Sequence, residues 1–216
     1  MTHPDRYRAV GLKGNPFVAQ QIQGERVAPV GKLFVSRNLP DPPPPGSRTL
    51  VQVIGDPGMG KSTHLEWWRS KHPGPLHYVP NEPYKARWKQ PPLVKAGFKE
   101  AMVYGDEIDR MPSPLRTRWF RHLSQRRATL VIGTHDDLTR VGERSGFDVT
   151  THHLDALDLE TLIEIVECRL AAFSTGENSD VLFTIAELEG VLAESGGNPR
   201  EAEALCHRLL ATKVDG

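Results

Sequence analysis

The chain has few cysteines and no long apolar run. Cys168 and Cys206 are the two cysteines in 216 residues, and their spacing fits no metal site. This scarcity argues against a disulfide-stabilised scaffold and a cysteine-ligated zinc site, so we expect both to be reduced residues of the core. No apolar run approaches the ~20 residues that span a membrane, and the first residues lack the apolar segment of a secretory signal. We therefore expect a cytoplasmic protein with no membrane contact.

An excess of charge of either sign is also missing. The 27 basic and 27 acidic residues cancel, which removes any global electrostatic argument for binding nucleic acid or an anionic membrane. Hydrophobic residues make up 38% of the chain and charged residues 25%, as is ordinary for a globular protein. The class of protein must therefore be inferred from local patterns.

Residues 1–47 have little of the patterning of a folded core. Pro40 and the four consecutive prolines after Asp41 donate no backbone hydrogen bonds and favour an extended rod. We interpret residues 1–47 as an N-terminal arm that ends in a proline-rich lead-in.

Between residues 48 and 156, short apolar runs alternate with amphipathic segments, which is typical of β-α-β units around a parallel sheet. We therefore predict an α/β domain over this range. Its predicted strands are Leu50–Ile54, Leu76–Val79, Ala101–Tyr104, Thr129–Gly133 and Val149–His153. Its predicted helices lie near residues 61–71, 113–126 and 137–143.

Residues 157–216 have helical periodicity only, with apolar residues three and four positions apart. Thr184 and Glu187 fit a capping box at the start of one helix, and Asn198 followed by Pro199 fits the start of the next. We predict a small helical domain that follows the α/β domain.

One glycine-rich segment carries the strongest chemical signal. Residues 55–62 fit the pattern G-x-x-x-x-G-K-S between a predicted strand and a predicted helix. Glycines let backbone N–H groups wrap around phosphates, Lys61 reaches the β- and γ-phosphates, and Ser62 coordinates Mg²⁺. The sequence thus predicts a nucleoside triphosphate site. Its predicted binding residues are Gly55, Asp56, Pro57, Gly58, Met59, Gly60, Lys61, Ser62 and Thr63.

A second apolar strand ends in two acids, Asp106 and Glu107. An acid at the tip of a strand beside a P-loop can hold the hydration shell of Mg²⁺, and the next acid can align or deprotonate a water that attacks the γ-phosphate. We predict Asp106, with Ser62, as a metal-site residue and Glu107 as a catalytic residue. The second acid favours a hydrolase over a phosphotransferase.

Thr134 and Arg200 are candidates by position. Thr134 ends another apolar strand, and its hydroxyl can bond the attacking water or the γ-phosphate if this strand lies between the P-loop strand and the Asp106 strand. Arg200 puts a positive charge in the first turn of a helix, which the macrodipole disfavours by ~0.3–1 kcal/mol. A bound triphosphate would offset that charge placement, so Arg200 is a candidate ligand.

Four features together resemble the AAA+ ATPases. They are the P-loop, the strand that ends in Asp106-Glu107, the polar strand end at Thr134, and the small helical domain with Gly197-Asn-Pro-Arg200. Within that family, the Gly-Asn-Pro-Arg segment at the start of a lid helix makes the chain most similar to the initiator, origin-recognition and transposition-regulator types. The resemblance covers roughly residues 50–211 and implies a P-loop parallel sheet followed by a helical lid, with ATP and Mg²⁺ as cofactors.

The resemblance also implies a role for each candidate. Residues 55–62 correspond to Walker A, Asp106-Glu107 to Walker B, Thr134 to sensor 1 and Arg200 to sensor 2. Members of the family complete their sites with an arginine finger from a neighbouring subunit, and Arg144, or else Arg140, is at the matching position. The implied protein is a nucleotide-dependent homo-oligomer that assembles, recruits or remodels a partner protein or a DNA complex.

Two segments leave alternatives open. Arg110 to Arg127 is rich in arginine and has no acid after Arg110, so it is either a contact for DNA or an acidic partner, or a face toward solvent or a neighbouring subunit. Asn15-Pro16-Phe17 is either a cover for the adenine or a hydrophobic anchor of the arm. The alternative functions are a nucleotide-gated switch or adaptor with little turnover and, less favoured, a small P-loop kinase.

Overall fold

The computed structural model describes residues 5–17, 33–37, 39–80, 101–176 and 182–215. The chain divides into two compact units, which we describe separately. The sheet unit consists of Asn38–Pro57 and Lys61–Leu154. The helical unit consists of Met1–Arg37, Gly58–Gly60 and Asp155–Gly216.

The sheet unit contains a five-stranded parallel sheet in the order β2-β3-β4-β1-β5. The strands are β1 (Thr49–Ile54), β2 (Leu76–Tyr78), β3 (Met102–Asp106), β4 (Thr129–Thr134) and β5 (Asp148–His153). All five lie where the sequence predicts a strand. The α/β fold class is confirmed, and β3 continues two residues beyond its predicted end at Tyr104 because Gly105 and Asp106 still pair with β4.

Helices connect these strands and cover the sheet. They are α2 (Lys61–Lys71), α3 (Ser113–Gln125) and α4 (Thr139–Arg144), with a 3₁₀ turn at Ile108–Arg110. Trp119, Phe120 and Leu123 of α3 are fully buried in the core formed with β3 and β4. Helix α4 begins two residues later than predicted, since the Asp137 carboxylate accepts the N–H of Thr139 and holds that segment in a turn.

The helical unit contains α5 (Leu159–Phe173), α6 (Ile185–Ser195) and α7 (Pro199–Asp215). The predicted capping box of Thr184 and Glu187 is present, and the Asn198 carboxamide accepts the N–H groups of Arg200 and Glu201. These caps fix where α6 and α7 begin. In the described part of the chain, no helix is long and apolar enough to cross a membrane.

Part of the predicted N-terminal arm packs into this helical core. The helix α1 (Asp5–Arg8) precedes Leu12, which forms a bridge to Ser174. Asn15 donates to the hydroxyl of Tyr7, and the ring of Phe17 lies edge-on to that of Phe183 at 5.6 Å. The contacts of Asn15 and Phe17 therefore favour the anchor over the adenine cover.

The proline-rich lead-in packs in the sheet unit instead. The hydroxyl of Thr129 donates to the carbonyl of Pro44, and Lys71 forms an ion pair with Asp41. Residues 18–32 of the predicted arm lie outside the described residues. The domain boundaries after residues 47 and 156 stay a prediction.

Gly58 lies in the helical unit, against the first turn of α7. Its backbone is left-handed, with φ of +89°, and an added Cβ atom would lie 2.6 Å from Oδ1 of Asn198 and 3.1 Å from Cβ of Arg200. The Asn198 side chain cannot retreat without giving up its hydrogen bonds at the start of α7. Glycine is therefore required at residue 58 for both conformation and space.

We predict that Gly58→Ala lowers the free energy of unfolding by about 1–3 kcal/mol, because it combines a strained backbone with a clash at the cap of α7. The matched control is Gly190→Ala in α6, where a Cβ would meet no atom within 4 Å. That substitution should raise stability by about 0.5–1 kcal/mol. Chemical denaturation of the three proteins measures both changes, and equal stability of the two variants would contradict the packing described here.

Candidate functional site

The carboxyl ends of β1, β4 and β3 lie side by side because these strands are adjacent and parallel. Ile54 of β1 is in register with Thr134 of β4, and Gly133 is in register with Asp106 of β3. The sequence prediction for Thr134 required β4 to lie between the other two strands, and the sheet has this order. Residues that follow the three strands are therefore brought to one edge.

Lys61 is buried at this edge, with 4% of its surface exposed. Its Nζ donates to the carbonyls of Gly55 at 2.6 Å and Asp56 at 3.1 Å, and it lies 3.3 Å from Nδ1 of His135. Burial lowers the pKa of Lys61, and the nearby carboxylates, first that of Glu107, oppose the change. These three contacts hold the ammonium group in place at the strand ends.

Ser62 and Asp106 form a direct hydrogen bond. The Ser62 hydroxyl donates to Oδ2 of Asp106 at 2.6 Å, and Oδ1 accepts the N–H of Glu107 at 3.1 Å. Burial raises the pKa of Asp106, while the bond from Ser62 lowers it.

These two side chains supply hard oxygen atoms next to each other. Mg²⁺ prefers this arrangement, since it binds few protein oxygens and fills its other positions with phosphate and water. The described residues contain no cluster of three or more His, Cys, Asp or Glu residues that would compete as a metal site. Ser62 and Asp106 therefore fit the predicted ion.

Glu107 follows Asp106 in a left-handed conformation, with φ of 59°. A non-glycine residue in this region is strained by about 1–3 kcal/mol, and such strain is concentrated at functional sites. The Glu107 Oε2 atom lies 3.0 Å from the guanidinium of Arg110 and 3.0 Å from Nε2 of His135. Two neighbouring groups thus fix the direction of this carboxylate.

The consecutive residues Thr134 and His135 at the end of β4 have different surroundings from each other. Thr134 is fully buried, and its hydroxyl donates to the carbonyl of Asp136 and accepts the Asp136 N–H. The neighbouring His135 is the residue whose side chain reaches both Lys61 and Glu107. The role of Thr134 stays a prediction.

Sequence reasoning missed His135, Arg110 and Asp109 as residues of this site. Asp109 Oδ1 accepts the backbone N–H of His135, which ties the residue after β4 to the turn after β3. The available signal was the run of acids at 106, 107 and 109 with an arginine at 110, three positions after Glu107.

The predicted arginines lie in different parts of the molecule. Arg144 ends α4 and Arg140 lies one turn earlier, and both are exposed on the sheet unit. Arg200 is exposed in the first turn of α7 in the helical unit, beside Gly58. Also in the helical unit, Arg37 donates to the carbonyls of Met59 and Asp155, a contact that the sequence did not indicate.

The arginines of the segment from Arg110 to Arg127 differ in the contacts that they make. Arg110 pairs with Glu107, and Arg116 donates to the carbonyl of Asp109. The side chains of Arg118, Arg121 and Arg127 are exposed and make no hydrogen bond or ion pair with the described residues. The segment therefore serves the site at its start and leaves these three side chains exposed.

No protein-family model matches the chain, and no curated protein matches it in sequence. Among solved structures, it is similar to the RuvB Holliday junction branch migration motor of Thermotoga maritima, with 22% identity and a TM-score of 0.56. Two variants of that motor match with 21% and 22% identity and TM-scores of 0.56 and 0.57.

Each match covers 76% of this chain but only 56–57% of the motor, so the chain spans just over half the length of these structures. They do not bear on the initiator or transposition-regulator subtype, which stays a prediction. The chain has the fold of these structures, and its parallel sheet followed by helices is the α/β architecture that the sequence predicted.

Proposed function

We propose that the protein is an ATPase that binds Mg-ATP at the P-loop and transfers the γ-phosphoryl group to water. The observation that carries this proposal is the convergence of Lys61, Ser62, Asp106 and Glu107 at the ends of adjacent parallel strands. A P-loop alone is shared by kinases, switches and hydrolases. A second acid directly beside the metal-site acid is what a hydrolase needs.

Each residue has a defined task in this mechanism. Backbone N–H groups of residues 55–60 and the start of α2 bind the phosphates, and Lys61 exchanges one or more of its contacts with Gly55, Asp56 and His135 for bonds to phosphate oxygens. Ser62 and Asp106 would hold Mg²⁺, which when bound neutralises charge on the phosphates. We assign Arg200 to the triphosphate as well, since a phosphate would compensate its charge at the start of α7.

Glu107 acts on the attacking water. As the water oxygen bonds to the γ-phosphorus, the Glu107 carboxylate accepts its proton, the bond to the bridging oxygen breaks, and ADP and inorganic phosphate leave. Thr134 would assist only if its hydroxyl left the Asp136 backbone. The fixed direction of the Glu107 carboxylate supports its role, because a general base must be oriented.

A nucleotide-gated switch with little turnover is the second candidate. It is favoured by the two existing partners of Glu107, Arg110 and His135, which occupy one oxygen of this carboxylate. Enzymatic turnover distinguishes the two functions. A kinase is less favoured because a pure phosphotransferase need not carry a second acid beside the metal-site acid, whereas a hydrolase benefits from one.

The proposed cycle drives assembly, recruitment or remodelling of a partner. The similar structures belong to a DNA motor, and Arg118, Arg121 and Arg127 offer exposed positive charge for a phosphate backbone. DNA is therefore the partner we favour over a protein, and stimulation of hydrolysis by DNA would support this choice.

We predict that Glu107→Gln lowers kcat for ATP hydrolysis by about 10²–10⁴-fold, because glutamine cannot accept a proton from water. ATP affinity should stay close to wild type, since the P-loop is untouched. Phosphate release and equilibrium nucleotide binding measure the two effects.

The matched control is Glu189→Gln, which makes the same change at an exposed position of α6. It should leave both quantities unchanged. A wild-type protein that binds ATP without releasing phosphate would refute the hydrolase and leave the switch.

We further propose that the protein forms nucleotide-dependent homo-oligomers in which Arg144 of one subunit reaches the ATP of the next. Arg144 is exposed, and its side chain makes no hydrogen bond or ion pair with the described residues. Such a trans-acting arginine stabilises charge in the transition state and contributes a factor of about 10³–10⁵ in the best-studied cases.

We predict that an inactive Arg144→Ala protein and an inactive Glu107→Gln protein regain activity when mixed. One subunit then supplies the base and its neighbour supplies the arginine, so mixed interfaces contain complete sites. The same mixture with Arg140→Ala in place of Arg144→Ala tests the other candidate. Activity equal to the average of the unmixed proteins, for both arginines, would contradict a shared site.

A further inference from the structure

We propose that His135 is a positioning residue that links the P-loop lysine to the catalytic glutamate, so that the phosphate contact of Lys61 controls how Glu107 is held. This inference rests on the proposed function and adds a residue to it. It is carried by the two short contacts of the imidazole, Nδ1 to Lys61 Nζ at 3.3 Å and Nε2 to Glu107 Oε2 at 3.0 Å.

The chemistry of the two partners determines the tautomer of His135. An ammonium group has only donors, so Nδ1 accepts from Lys61, and a carboxylate has only acceptors, so Nε2 carries the proton that it donates to Glu107. The neutral ring with its proton on Nε2 satisfies both contacts at once. The other neutral tautomer satisfies neither.

The position of the imidazole is fixed by the backbone around it. The N–H of His135 donates to Asp109, and the turn that follows is held by the hydroxyl of Thr134. An added Cβ at Gly133 would lie 2.7 Å from Oδ1 of Asp106 and 3.3 Å from Cβ of Lys61. The end of β4 therefore packs directly against Asp106 and Lys61, and His135, two residues after Gly133, lies between Lys61 and Glu107.

Lys61 has three N–H donors, and its three acceptors are the carbonyls of Gly55 and Asp56 and Nδ1 of His135. A phosphate oxygen can bind Lys61 only by replacing one or more of them. When Nδ1 loses its donor, the imidazole loses one of the two bonds that orient it. Phosphate binding to Lys61 thereby changes how His135 holds the carboxylate of Glu107, the group that activates water.

The first test separates orientation of Glu107 from ATP binding. We expect His135→Ala to lower kcat about 10–100-fold with KM within about threefold of wild type, as for loss of an interaction that acts in the chemical step. Glutamine places its amide N–H near the position of Nε2 and can still donate to Glu107. His135→Gln should therefore restore kcat to within about fivefold of wild type.

The matched control is His153→Ala, since His153 ends β5, which β1 separates from β4, and is exposed. It should leave kcat and KM unchanged. A wild-type kcat in His135→Ala, or a His135→Gln protein as slow as His135→Ala, would overturn the positioning role.

The second test needs no activity. Nitrogen NMR of ¹⁵N-histidine protein, with His135→Gln used to assign the signal, reports which ring nitrogen carries the proton. We expect an unprotonated Nδ1 and a protonated Nε2 without nucleotide, and a shift of the Nδ1 signal when Mg-ATP is added to the Glu107→Gln protein. A proton on Nδ1, or an Nδ1 signal that does not shift when Mg-ATP is added, would overturn the proposed link to Lys61.

The outcomes separate this inference from the proposed function. A wild-type protein that releases no phosphate refutes the hydrolase, whatever the imidazole does. An active wild type with an unchanged His135→Ala variant refutes only the role of His135.

Discussion

The parallel pairing of β4 between β1 and β3 is the constraint on which the site depends. It places the ends of three strands at one edge in matched register, Ile54 with Thr134 and Gly133 with Asp106. Gly133 has no side chain to separate β4 from Lys61 and Asp106. A sheet with a different order would carry the same motifs along the chain without bringing the lysine, the metal-site acid and the second acid together.

Opposite charges lie close together at this edge of the sheet. Lys61 and Asp106 are almost fully buried, and burial shifts the pKa of each toward its neutral form, downward for the lysine and upward for the aspartate. Hydrogen bonds from Ser62 to Asp106, and from Lys61 to two carbonyls, offset part of this cost. On the proposed function, a triphosphate with its cation would add further counter-charges for Lys61 and Asp106 at this edge.

Much of the fold could be predicted from the sequence because the patterns that indicate strands and helices are local. Alternating apolar runs located all five strands, and glycine, proline and capping residues located the helix starts at Lys61, Ile185 and Pro199. Strand ends and motif order also pointed to Asp106 and Glu107 before their contacts were known.

The rest depended on contacts between distant residues. Thr134 and His135 are consecutive, and only the bonds made by Asp136, Lys61 and Glu107 determine which side chain faces the site. The packing of Tyr7 and Leu12 into the helical core could not be predicted, because the arm contributes these residues singly, without a periodic pattern. For Phe17 the sequence left two alternatives open, an anchor of the arm and a cover for the adenine.

The proposed function requires that this edge of the sheet directs a water molecule to the γ-phosphate of ATP. Hydrolysis in ¹⁸O-labelled water, with the products analysed by mass spectrometry, measures this step directly. We expect the released inorganic phosphate to carry an oxygen from the solvent and ADP to carry none. Label in ADP, or consumption of ATP without labelled phosphate, would contradict it.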